Sequence, residues 1–153
     1  MISTVTTTTN ILIIGVDPGK TTGLAWLDNK TFYSTDYNAL SACDKIFELI
    51  TTYDGKVIVA VEPYNITRQT IKFTRQYDAL EVIGTCKWMS YKYGAEFILQ
   101  AASAAQPAGN VDLLKQLGWW VSSKDHCNKA ASQVVLAYQR VFPTRIHNMT
   151  NLS

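Results

Sequence analysis

Three acidic residues stand where a chain can bring them together. Asp17 follows the apolar run Ile11 to Val16, Glu62 follows the run Lys56 to Val61 (KVIVAV), and Asp125 opens the last helical pattern. In an α/β sheet, adjacent parallel strands deliver their C-terminal ends to one edge, so Asp17 and Glu62 can converge there, with Asp125 joining from a packed helix. Clustered carboxylates repel one another unless a cation lies between them. The chemistry such a cluster serves is Mg2+ or Mn2+ binding through oxygen ligands, including two-metal sites with ions about 3.5–4 Å apart. Taken singly, each acid is equally well read as a cap or turn residue.

Other candidate motifs are weaker. GVDPGKTTG approaches a phosphate-binding Walker A loop, but Gly15 and Gly19 enclose three residues where that loop needs four. His126 is a possible metal ligand or water activator, although a lone histidine near a helix start more often caps or packs. Cys127 beside it reads as packing, and no Cys/His/Asp nucleophilic set is visible. Arg68, Lys72 and Arg75, with Lys87, Trp88, Tyr91 and Lys92, form a basic and aromatic stretch. Its plain reading is a solvated helix face; its functional reading is a phosphate-contacting surface.

The elements that must position these residues follow from hydrophobic period and turn chemistry. Ile11 to Val16 reads as a buried strand stopped by Asp17-Pro18-Gly19, and Gly23 to Leu27 and Lys30 to Ser34 as two more strands joined at Asp28-Asn29. Leu40 to Tyr53 carries Cys43, Ile46, Phe47, Ile50 and Tyr53 at helical spacing. The unbroken run KVIVAV implies a strand covered on both faces. A long helix is expected from about Gln69 to Tyr93, a short strand over Phe97 to Gln100, and a small-residue loop over AASAAQPAGN. A short helix over Val111 to Leu117 ends at Gly118. The final helix, about Lys124 to Val141, places Ala130, Val134, Ala137, Tyr138 and Val141 on its buried face.

Composition bounds the class. The 153 residues are 47% hydrophobic and 17% charged, which excludes disorder and collagen-like repeats and fits one globular domain over residues 1–153. A polar leader of about residues 1–10 and a tail of about 143–153 flank it. Fourteen Lys+Arg against twelve Asp+Glu leave a net charge of +2, so any nucleic-acid contact has to use a local basic face. Three cysteines without C-x-x-C spacing point to a reduced, intracellular setting. Ile11 to Val16 is too short for a signal or membrane segment. No membrane association and no small-molecule cofactor are expected.

The order of motifs is distinctive. Ile14-Gly15-Val16-Asp17-Pro18-Gly19 with Thr22-Gly23 downstream, then a strand into Val61-Glu62, then a late helix opening Asp125-His126-Cys127-Asn128-Lys129-Ala130-Ala131, resembles the RuvC-like Holliday-junction resolvases, most closely their bacteriophage branch. The resemblance covers roughly residues 11 to 142. It implies an RNase H-like α/β fold, with a mixed five-stranded sheet flanked by helices, acting as a homodimer on branched DNA, in the host cytoplasm if phage-encoded. It also implies metal-dependent phosphodiester hydrolysis that leaves a 5′-phosphate and a 3′-hydroxyl. Carried onto this sequence, Asp17 bridges the metals, Glu62 holds one, and Asp125, His126 and Lys129 complete the catalytic set. Lys20, Arg68, Lys72 and Arg75 contact DNA.

The last helix departs from the family pattern, which places an Asp or His there and an Asp three residues later. From Asp125 the later position is Asn128; from His126 it is Lys129, a register favoured by Ala130. Neither supplies the carboxylate. An Asp-to-Lys exchange swings local charge by two units, each interacting with a neighbouring charge by ~2.8 kcal/mol at ~6 Å and an effective dielectric of ~20. Asp125 standing in for the missing acid, weakened catalysis, and a deliberately substituted Asp all stay open. The functional alternatives are a junction-binding protein with impaired or absent cleavage and another RNase H-like nuclease of the YqgF type.

Overall fold

The structure is a computed structural model, and it describes residues 10–64 and 77–143. Five strands form one mixed sheet: β1 (Ile11–Asp17), β2 (Thr21–Asp28), β3 (Thr31–Asn38), β4 (Lys56–Val61) and β5 (Glu96–Leu99), in the order β3-β2-β1-β4-β5. β1, β2 and β3 run as an antiparallel meander, while β4 and β5 pair parallel to β1 and to each other. Among the described residues the helices are α1 (Ala39–Thr52), α2 (Tyr77–Tyr93), α3 (Ala102–Ala108), α4 (Val111–Leu117) and α5 (Asp125–Val141).

Strand parity divides the chain into two cores. Leu12, Ile14 and Val16 of β1, with Val57, Val59 and Val61 of β4, pack under Ile46 and Ile50 of α1 and Val82, Cys86 and Met89 of α2. The alternate residues Ile13 and Ala60 face the other way, onto Ala130, Val134 and Ala137 of α5 and Leu114 and Leu117 of α4. A sheet covered on both faces needs apolar residues at every position, which is why β1 and β4 read as continuous runs. Asp17 shares the parity of Ile13 and Gly15, and Glu62 that of Ala60. Both carboxylates therefore leave the sheet on the α5 side.

α5 lies against bare backbone. A Cβ on Gly15 would sit 2.1 Å from the Ala130 carbonyl oxygen, and one on Gly23 would sit 2.0 Å from that of His126. Glycine is required at these positions for close approach, with Ala25, Ala130 and Ala131 extending the small-residue contact. At the sheet edge, Asp17-Pro18-Gly19 is closed by buried Thr22, whose hydroxyl donates to the Gly19 carbonyl at 2.8 Å. Asn29 takes the left-handed conformation, φ 55, at the β2–β3 turn, which asparagine tolerates.

The expected helices and strands are present within a few residues, and the part of the expected long helix before Tyr77 falls outside the described residues. Two readings change. Ala102–Ala108 is a helix, not a loop. Alanine's helix propensity and the packing of Ala105 and Gly109 against α5 outweigh Pro107, and the Ser132 hydroxyl secures the end by donating to the Gly109 carbonyl at 2.7 Å. On α1, the buried face comprises Ala42, Ile46 and Ile50, while Phe47 is exposed and meets Tyr93 edge-on.

Gly15→Ala or Gly23→Ala should lower unfolding free energy by about 1–3 kcal/mol in urea titrations, because a backbone carbonyl has to retreat from the new methyl. Stability equal to the parent's for both variants would show that α5 does not sit this close.

Candidate active site

Asp17 ends β1 and Glu62 directly follows β4. The parallel register pairs Val16 with Val61, and the Glu62 amide donates to the Val16 carbonyl at 3.0 Å. The ladder thus extends one residue past the strand and fixes the Glu62 backbone beside Asp17. Asp17 is 7% exposed. Above the pair, the first turn of α5 brings His126 over Asp17, with Nδ1 2.9 Å from Oδ2. A carboxylate oxygen can only accept, so Nδ1 donates. Lys129, one turn further along α5, lines the same cavity of about 470 Å³, together with Asp17, Glu62, His126 and Lys20.

Electrostatics mark a surplus of negative charge. Burial, followed by a hydrogen bond with Asp17 and the Asp17 charge, pushes the Glu62 carboxyl up to about 7. A protonated Glu62 then donates to the Asp17 carboxylate, the usual outcome when two carboxyls share a site without a cation. For Lys129, burial alone would lower the pKa, but the hydrogen bond to Asp125 and the charges of Asp17, Asp125 and Glu62 outweigh it and raise it.

α5 divides its first-turn residues between two sides. His126 and Lys129 face the carboxylate cavity, whereas Asp125 and Asn128 line an adjoining one of about 250 Å³ with Asn110, Leu114 and Trp120, where Lys129 is also found. The Asp125 side chain is 74% exposed and holds the Lys129 ammonium at 3.2 Å. Asn128 is buried and clamps the Val121 backbone in both directions, accepting from its N–H at 3.0 Å and donating to its carbonyl at 2.8 Å. The register beginning at His126 is the one that faces Asp17. Of the expected metal ligands, Asp17 and Glu62 come together and Asp125 does not join them. Cys127 is buried, donates its thiol to the Lys124 carbonyl at 3.5 Å, and is pushed up by burial, as befits a packing residue. Arg68, Lys72 and Arg75 lie outside the described residues.

Asp17 and Glu62 offer the hard oxygen donors that Mg2+ and Mn2+ prefer. Among the described residues no three His, Cys, Asp or Glu side chains gather closely enough to hold a metal ion, so water or the oxygens of a bound phosphate would have to complete the shell around the two carboxylates. Thr21, Pro63 and Tyr64 also line the cavity and carried no sequence signal beyond their nearness to Asp17 and Glu62. The second cavity was hidden because its wall includes the end of α3 and the α3–α4 junction, a stretch that reads as loop.

No family model and no curated protein matches the sequence. Solved structures do match in fold. The RuvC protein of Thermus thermophilus in complex with a Holliday junction substrate superposes with a TM-score of 0.67 at 14% identity, covering 88% of this chain and 97% of that one. Another T. thermophilus RuvC structure gives a TM-score of 0.62 at 13% identity, covering 87% and 97%. At these identities the likeness establishes the fold: a RuvC-like, RNase H-like arrangement of a mixed five-stranded sheet with flanking helices. No helix among the described residues is long and apolar enough to cross a membrane.

The raised Glu62 pKa has a consequence for stability. A carboxyl that titrates higher in the folded than in the unfolded state gives a contribution present at low pH and lost as pH rises through the folded value, here from about 4.5 to about 7. In metal-free buffer, Glu62→Gln should therefore match the parent near pH 4 and exceed it at pH 8. After allowance for solvent screening at this half-exposed group, the gain is about 1–2 kcal/mol. Denaturant titrations at the two pH values check it, and a gain that is the same at both would refute the shared-proton arrangement.

Proposed function

We propose that this chain is a metal-dependent endonuclease acting on branched DNA, with four-way junctions as its substrate class. The observation that carries the reading is the carboxylate pair: Asp17 and Glu62 sit at the C-terminal ends of neighbouring parallel strands and line one cavity, close enough that the charge of Asp17 helps to raise the Glu62 carboxyl. The fold shared with a RuvC bound to a Holliday junction substrate supports the choice of DNA over other phosphodiesters.

A divalent cation, Mg2+ or Mn2+, would supply Lewis-acid activation of water and charge neutralisation at the phosphate. Asp17 and Glu62 are the residues to hold it. His126 fixes the orientation of Asp17 through Nδ1 and lines the same cavity. Lys20 and Lys129 bring positive charge to the lining, where a backbone phosphate approaching the carboxylates meets them first. Arg68, Lys72 and Arg75 belong to the same DNA-contacting set in this reading.

A junction has two-fold symmetry, so two symmetric nicks call for a homodimer presenting two sites. The exposed Trp88 and Tyr91 on α2 are compatible with a surface covered by a second copy. Light scattering should then return about twice the chain mass of 17.1 kDa, and a monomer at micromolar concentration would defeat the dimer.

A specific observation favours a second reading, junction binding without efficient cleavage: a lysine stands where the family pattern has an acid. One experiment separates the two. Nicking of a synthetic four-way junction in Mg2+ or Mn2+ should be measurable for the parent chain and fall at least about a hundredfold in Asp17→Asn, with junction binding kept. Undiminished nicking by Asp17→Asn defeats the site assignment, and binding without nicking by the parent establishes the second reading.

A further inference from the structure

The cavity that holds the carboxylate pair is lined by a lysine. Lys129 reaches it from α5, and its ammonium is tethered from outside by Asp125 at 3.2 Å, an i,i+4 pair on the helix surface. Asp125 faces the neighbouring cavity, so the tether adds no ligand at Asp17 and Glu62. Asp17 is further committed through Oδ2 to His126. Among the described residues no other acid or histidine completes a three-ligand set.

We propose that the Lys129 ammonium replaces a second metal ion, so that the cleft takes one divalent cation per chain, between Asp17 and Glu62. This rests on reading the cleft as a metal-dependent site. Charge counting supports it. The three carboxylates of Asp17, Glu62 and Asp125 and the one ammonium of Lys129 sum to two negative charges. One divalent ion cancels them. A second ion would leave two positive charges and would press against the ammonium of a partly buried lysine, where like charges repel more strongly than in water. Lys129 is then a positioning residue: it sets metal stoichiometry and affinity and presents a permanent positive charge to the phosphate.

The test uses the full chain without DNA and Mn2+ as the probe, counting free ion by its electron paramagnetic resonance signal and following heat by calorimetry. The parent should bind one Mn2+ per chain. Lys129→Met, which removes the charge without adding a ligand, should still bind one but about tenfold more tightly. Lys129→Asp, which restores a ligand, should bind two. A parent that binds two ions or none overturns the proposal, as does Lys129→Met binding no tighter than the parent or a folded Lys129→Asp that binds only one. If circular dichroism shows Lys129→Asp to be unfolded, the parent stoichiometry and the Lys129→Met affinity decide. A parent that binds one ion yet leaves a four-way junction intact defeats the nuclease reading and leaves this assignment standing.

Discussion

The contact between α5 and the naked backbone at Gly15 and Gly23 organises everything else. A helix normally rests on side chains and stays several ångströms from the strands beneath it. Here the carbonyls of Ala130 and His126 come so near that a single methyl would collide at 2.1 or 2.0 Å. This closeness lets His126 bond Asp17 at 2.9 Å and Lys129 line the same cavity. Were the helix to ride higher on alanine methyls, the strand-end carboxylates would lose the groups that face them.

The electrostatics follow from that packing. Strand parity puts Asp17 and Glu62 on one side of the sheet, and the lowered helix shields them from water. Two carboxyls in such a place resist double ionisation, and Glu62 yields, its pKa pushed up to about 7. Lys129 offsets part of this charge while remaining bound to Asp125. Residues from β1, α5 and the end of β4 thus set the balance of charge at the site.

Much of the fold was legible in the sequence because its signals are local. β1 and β4 declare themselves by unbroken aliphatic runs, the β2–β3 turn by Asp28-Asn29, and the α4 stop by Gly118, which takes φ 76. The exceptions are instructive. Pro107 and the small residues around it spell loop, yet the helix forms because Ala105 and Gly109 pack on α5. Phe47 falls on the apolar helical period but is exposed, and it meets Tyr93 edge-on.

For the site, sequence alone determined that Asp17 and Glu62 each end an apolar strand and can converge at one sheet edge, and the parallel pairing of β1 with β4 brought them together. That Gly15 and Gly23 have to stay side-chain-free emerged only from the packing, because the reason lies in a helix more than a hundred residues along the chain. Only the tertiary structure decided which face of α5 looks inward. The helical period admits either Asp125 with Asn128 or His126 with Lys129. Seating the helix on Gly15 and Gly23 rotated the second pair toward Asp17, committed Asn128 to the Val121 backbone, and left Asp125 outside as the tether of Lys129. Rotation of a helix about its own axis is set by what it packs against, and no local stretch of sequence carries that information.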